Sequence, residues 1–129
     1  MSDQLSPETG PVGGAELLTT QVTVRGGAVV VRLVGDLDLA TVDTAAAALD
    51  EPAARTATAL VLDLTDLRFF ASAGLSLLIR LYEDAQTRQL DVRLAGDQRA
   101  VLRPLQLMGL GDLFPMHPSV ADALGALAH

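Results

Sequence analysis

A hydroxyl at a strand-to-helix corner, Ser72 in Phe70-Ala71-Ser72-Ala73-Gly74-Leu75, is the residue of this chain best placed to do chemistry. It comes after the apolar run Ala59–Leu64 and opens an apolar helical stretch. As an N-cap, its oxygen would accept from an otherwise unpaired backbone N–H of the first turn. The same location favours a phosphate, because free N–H groups and the helix dipole both attract negative charge. As a nucleophile it would need a base close by. The two histidines, His117 and His129, come without an orienting partner, and residues 70–74 do not form a Gly-x-Ser-x-Gly elbow. The pattern argues against a hydrolase and leaves a cap or a phosphoacceptor.

Carboxylates come next. Asp36 and Asp38 close a strand in Gly35-Asp36-Leu37-Asp38. Aspartate in such a turn serves local backbone hydrogen bonds. These two also lie at the strand's C-terminal end, the same end as Ser72, where open α/β sheets bind ligands and partners. Asp63 and Asp66 have no further acids or histidines clustered around them, so turn structure accounts for them better than a cation site. An aspartyl-phosphate receiver domain uses a lysine after its last strand, and all nine basic residues here are arginine. The chain has no cysteine, which excludes disulfides, thiolate catalysis and sulfur-based zinc sites. No catalytic constellation, cofactor site or metal site can be assembled from these residues.

Composition narrows the partners. The formal charge is -7 with no basic cluster and 3% aromatic residues, a poor match for nucleic acid or an anionic membrane. Acidity instead favours a basic protein partner through steered encounter. Residues 1–24 contain no Lys or Arg, so the positive flank of a secretory signal is missing. Ser76 and Arg80 interrupt the longest helix candidate well short of the ~18 apolar residues of a membrane span. A cytoplasmic location is expected.

The elements that must position these groups follow from periodicity. Residues 1–19 are rich in Ser, Pro, Gly and Glu and are expected to form a flexible tail, with one domain over 20–129. Gln21–Arg25 alternates with period two, Gly26-Gly27 supplies a hairpin turn, and Ala28–Val34 returns as an apolar strand. Val42, Ala45, Ala46 and Leu49 fall at helical spacing, with Thr41 as the expected N-cap and Pro52 beyond the end. Ala59–Leu64 reads as a central, two-sided buried strand. A helix from Ser72 to about Arg88 buries the stripe Gly74, Leu77, Leu78, Leu81 and Ala85. Leu75, Ile79 and Tyr82 form a second row, and Leu75 and Ile79 could make an exposed patch beside Ser72. Leu90–Ala95 is a strand; a helix through Val101, Leu105 and Met108 carries Pro104, where a kink or restart is expected. Gly109-Leu110 resembles a Schellman stop. Leu113-Phe114 is expected as a last strand, and Ser119 as the cap of a last helix. The order β-β-α-β-α-β-α-β-α demands crossovers, so the sheet is mixed and mostly parallel, with an N-terminal antiparallel hairpin.

With these elements in place, three segments show a resemblance: Gly35-Asp36-Leu37-Asp38, Asp63–Leu75, and Leu107-Met108-Gly109-Leu110. In order, spacing and context, the chain from about Val22 to Leu127 resembles a STAS domain, in particular the bacterial anti-sigma factor antagonists. The resemblance implies an α/β STAS fold and a protein-binding module, not an enzyme, needing no cofactor. It implies binding to an anti-sigma factor that is also a serine kinase, which frees a sigma factor and so regulates transcription. Phosphorylation at Ser72 would break the complex, and a phosphatase would restore it, a partner-switching phosphoprotein cycle. The partner-binding edge carried over is Asp36, Asp38, Thr41, Ala71, Ser72, Gly74, Leu75 and Ile79. The chain departs from the family's Asp-Ser-(Ser/Thr/Ala)-Gly in having Ala71 before the serine, and Ala73 leaves no second hydroxyl there. The alternative within the same resemblance is an unphosphorylated STAS domain that senses a small ligand or scaffolds a signalling assembly.

Overall fold

A computed structural model describes residues 17–127. Two strands, β1 (Leu18–Arg25) and β2 (Ala28–Leu37), form the expected antiparallel hairpin. They lead into helices α1 (Val42–Leu49) and α2 (Pro52–Thr56) and the long strand β3 (Ala59–Phe70). Helix α3 (Ser72–Arg88), β4 (Asp91–Ala95), α4 (Arg99–Leu107), β5 (Met116–His117) and α5 (Val120–Leu127) complete the chain. The five strands lie in sequence order, and β2, β3, β4 and β5 run parallel because each is reached by a crossover.

The sheet buries both faces, unequally. On one face Leu33 and Leu37 of β2, Leu60, Leu62 and Leu64 of β3, and Leu94 of β4 pack with Ala45 of α1 and Leu77, Leu78 and Leu81 of α3; Val101 and Leu105 of α4 join this cluster. On the other, Val30, Val61 and Ala95 meet Ala123 of α5. With few aromatics, aliphatic burial supplies the core, at about 1.5–3 kcal/mol for each fully buried large side chain. The α3 stripe Gly74, Leu77, Leu78, Leu81 and Ala85 is buried as its spacing predicts. Helix α4 ends as expected: Gly109 has φ +71°, its N–H donates to Gln106 O, and Leu110 N–H donates to Leu105 O.

Several expectations need correction. Leu18 and Thr19, assigned to the tail, begin β1 and pair with Gly35 and Val34; residues 1–16 of that tail lie outside the described residues. Helix α4 continues through Pro104 without restarting. The last strand is Met116–His117; Phe114 is instead buried with its ring edge-on to Tyr82 at 5.8 Å. A short helix that the periodicity does not predict, α2, starts on Pro52 and is tied to α3 by Arg88, whose guanidinium donates to the carbonyls of Ala54 and Arg55.

The largest difference is in β3, which does not stop at Leu64. Its pairing with β2 slips twice, between Arg32 and Val34 and again between Gly35 and Asp36. Each slip inserts one extra residue on β3 and reverses which face the next side chain meets. Leu64, Leu67 and Phe70 are therefore all buried although three residues apart. Asp63, expected in a turn, sits inside this strand, its Oδ1 accepting from the N–H and hydroxyl of Thr65. Gln98, just before α4, donates its amide to Leu64 O and Leu67 O at 2.6 and 2.9 Å and holds the irregular stretch.

Candidate functional site

The parallel ends of β2 and β3 converge in register, Asp36 beside Phe69 and Leu37 beside Phe70. Beyond them Ala71 N–H donates to Leu37 O at 2.9 Å, so the two loops that carry the predicted residues are joined by a backbone hydrogen bond. Behind the β2 loop, Gly35 (φ +119°) leaves room for Leu17 O, which would lie 1.9 Å from a Cβ at that position. Leu17 O in turn accepts from Asp36 N–H.

The loop after β2 is built around Asp38. Its Oδ1 accepts from the N–H groups of Ala40 (2.9 Å) and Thr41 (3.2 Å), an Asx turn that leads directly into α1. Thr41 lies behind it, buried, its hydroxyl donating to Asp36 O (2.8 Å) and accepting from Asp38 N–H (3.0 Å). Thr41 occupies the N-cap position of α1 but makes no side-chain cap hydrogen bond: its hydroxyl is consumed in holding the loop. Asp36 is half-buried and faces the guanidinium of Arg68 at 3.6 Å.

The corner after β3 also differs from expectation. The N-cap of α3 is Ala71, extended at φ -99°, ψ 178°, with no side-chain acceptor. Ser72 is the first helical residue, exposed, and makes no side-chain hydrogen bond among the described residues. The cap role is therefore not taken, and the hydroxyl stands free at the positive end of the helix. Gly74 is buried beneath it, where a Cβ would sit 2.5 Å from Phe70 Cε1. Leu75 is buried too, as part of the main core cluster; of the proposed patch, Ile79 alone is exposed. Ala71, Ser72, Asp36 and Asp38 are brought together at one edge, while Thr41, Gly74 and Leu75 support it from beneath.

Two large apolar side chains at this edge escaped the sequence pattern. Leu39, at the tip of the Asp38 turn, is 83% exposed, and Phe69 is 52% exposed. The signals were a leucine at the apex of a polar turn, and a Phe-Phe doublet of which one member alone can face the core. No group of three or more potential metal ligands occurs among the described residues. Asp66 is committed to an ion pair with Arg32, and its hydrogen bond and charge hold the Arg32 pKa above its ordinary value. His117 lies two strands from β3, beside Arg93.

The STAS domain family matches residues 19–123. This chain belongs to that family. The STAS domain described here is 32% identical to the anti-sigma-F factor antagonist RsfA of Mycobacterium tuberculosis, over 92% of each chain. It superposes on the crystal structure of an anti-sigma factor antagonist from Mycobacterium paratuberculosis with a TM-score of 0.77 and 32% identity, covering 87% of this chain and 95% of that one. The Bacillus cell fate determinant SpoIIAA in its phosphorylated form shares the fold, with a TM-score of 0.64 at 22% identity over 84% and 99% of the two chains. The mixed five-stranded sheet is thus the STAS architecture, and the domain is a regulatory binding module rather than an enzyme. Among the described residues no helix is long and apolar enough to cross a membrane.

Proposed function

We propose that this STAS domain is an anti-sigma factor antagonist: in the cytoplasm it binds an anti-sigma factor with serine kinase activity and so frees a sigma factor. Phosphorylation of Ser72 ends the complex, and a phosphatase restores it. The observation that carries this reading is the exposed Ser72 on the first turn of α3, whose hydroxyl has no hydrogen-bond partner among the described residues, tied through Ala71 to the Asp38 loop. The names of the relatives support the partner class. The fold can accept a phosphate there, since the first-turn N–H groups and the dipole stabilise about -1.5 to -2 added charges. The loss falls on the complex, where a dianion replaces a small hydroxyl at a packed contact. Ala71 in place of the family's usual acid leaves this edge less negative, so the repulsion added by a phosphate is smaller and the switch less complete.

The test is incubation with a purified anti-sigma factor and ATP, followed by mass spectrometry and binding measurements. Phosphate is expected on Ser72 and not on Ser76, which is exposed one turn further on. Ser72→Ala should bind with or without ATP, and Ser72→Asp should fold normally and bind poorly. Phosphate elsewhere, or none, would remove the switch.

A further inference from the structure

We propose that the open edge of β1 takes up an extended, basic segment of a second protein as an added strand, selected by Asp43 and Glu51 on the helical layer beside it. This surface is separate from the Ser72 edge, and the proposal does not depend on the antagonist reading. Leu17 O accepts from Asp36 N–H, and the unbroken register that follows makes Thr19, Gln21 and Thr23 the residues bonded to β2. Leu18, Thr20, Val22 and Val24 then turn N–H and C=O away from β2, toward a side where no strand pairs among the described residues. Such an edge is a template for another chain, and proteins blunt it with proline, charge, a bulge or shortness. The opposite edge, β5, is two residues long. Strand β1 has eight residues, no proline, no register slip and one charge, Arg25 at its end.

The groove beside this edge says what kind of strand fits. Thr20 and Val22 of β1 line one side of it, and the small side chains of Thr44 and Ala47 on α1 line the other, with Asp43 before them and Glu51 after them. Both acids are exposed, and neither enters an ion pair among the described residues. They lie eight positions apart, about 12 Å at helical rise. An extended chain covers that distance in about four residues, and its alternate side chains face one way. The matching strand therefore carries Lys or Arg at i and i+4, with an apolar residue at i+2 against Thr20 and Val22. The chain itself does not supply such a strand. Residues 1–16 contain no Lys or Arg. A second copy, paired antiparallel about a two-fold axis normal to the sheet, would turn its own Leu18, Thr20, Val22 and Val24 to the groove and bring its acids toward those of α1. Charge complementarity selects a basic strand of another protein.

The experiment follows the backbone amides of the full chain by NMR, first alone and then with a synthetic heptapeptide in which threonine alternates with arginine, valine and arginine. In the dilute free chain the amides of Thr20, Val22 and Val24 should exchange quickly, and those of Thr19, Gln21 and Thr23 at least about tenfold more slowly. The peptide at about 1 mM should shift and protect the first set. Asp43→Asn combined with Glu51→Gln should fold normally and weaken binding about fivefold, since each exposed ion pair contributes little. A peptide with glutamate in place of arginine should not bind. Thr20→Pro removes an outward N–H without breaking a bond to β2, so it should keep the fold and abolish binding. Protection of Thr20, Val22 and Val24 in the dilute free chain would assign the edge to residues 1–16, and protection that grows with protein concentration would assign it to a second copy; either result overturns the proposal. So does a basic peptide that leaves these amides unshifted at that concentration, or binding that the charge-neutral variant retains in full.

Discussion

At Gly74 a hydrogen is the largest substituent the packing admits. A Cβ would meet Phe70 Cε1 at 2.5 Å and Leu37 Cδ2 at 2.8 Å, and both rows of that contact lie directly under the site. Gly74→Ala should therefore lower stability by about 1–3 kcal/mol through overpacking, seen as a lower urea midpoint with an unchanged slope. Because Leu37 and Phe70 must give way, affinity for the proposed anti-sigma factor partner should fall as well. Thr41 makes a complementary case. Thr41→Val keeps the shape but leaves Asp36 O and Asp38 N–H without their side-chain partner. A loss of about 1–3 kcal/mol is expected, with faster exchange at Ala40 and Thr41; unchanged exchange would show that the turn holds without the hydroxyl. Residue type alone did not reveal these roles. A threonine before a helix looks like a cap, and its burial follows from a loop folding back over it.

At the scale of elements, the helices were legible and the strand ends were not. The α3 stripe has a clean 3.6-residue period, so its span and buried face could be read directly. The Gly109 stop of α4 is likewise local chemistry. Strand β3 defeats period-two reading because its two bulges space Leu64, Leu67 and Phe70 by three, which looks like a polar turn between apolar positions. The two-residue β5 carries no periodicity at all, and nothing local separates Met116–His117 from Leu113-Phe114. The buried face of α3 takes in Leu75 as well as the main stripe, and how wide a face is covered is a property of tertiary packing and not of spacing.

Across the whole molecule, the formal charge of -7 predicts a long-range contribution to association that is separate from any single contact. For a basic partner, attraction extends roughly 30 Å at about 0.01 M salt and about 8 Å at about 0.15 M. Stopped-flow association should slow by about tenfold or more over that range, while dissociation changes little. An association rate independent of salt would mean that the partner presents no basic surface to this domain.

The paired bulges of β3 also fix which deletions a gene encoding this chain can survive. Thr65 and Arg68 lie where β3 has residues to spare, and neither has a Cα partner on β2. Removing one codon at either place straightens the ladder locally and leaves every later side chain facing the way it did, with Ser72 still arriving at the head of α3. Removing one codon within 60–62 instead shifts a regular stretch by one and turns the apolar side chains on one side of the deletion toward the wrong layer. A library of single-codon deletions should therefore show two narrow windows of folded protein inside an otherwise intolerant strand. The irregularity that hides β3 from inspection is the part of it that evolution can most easily lengthen or shorten.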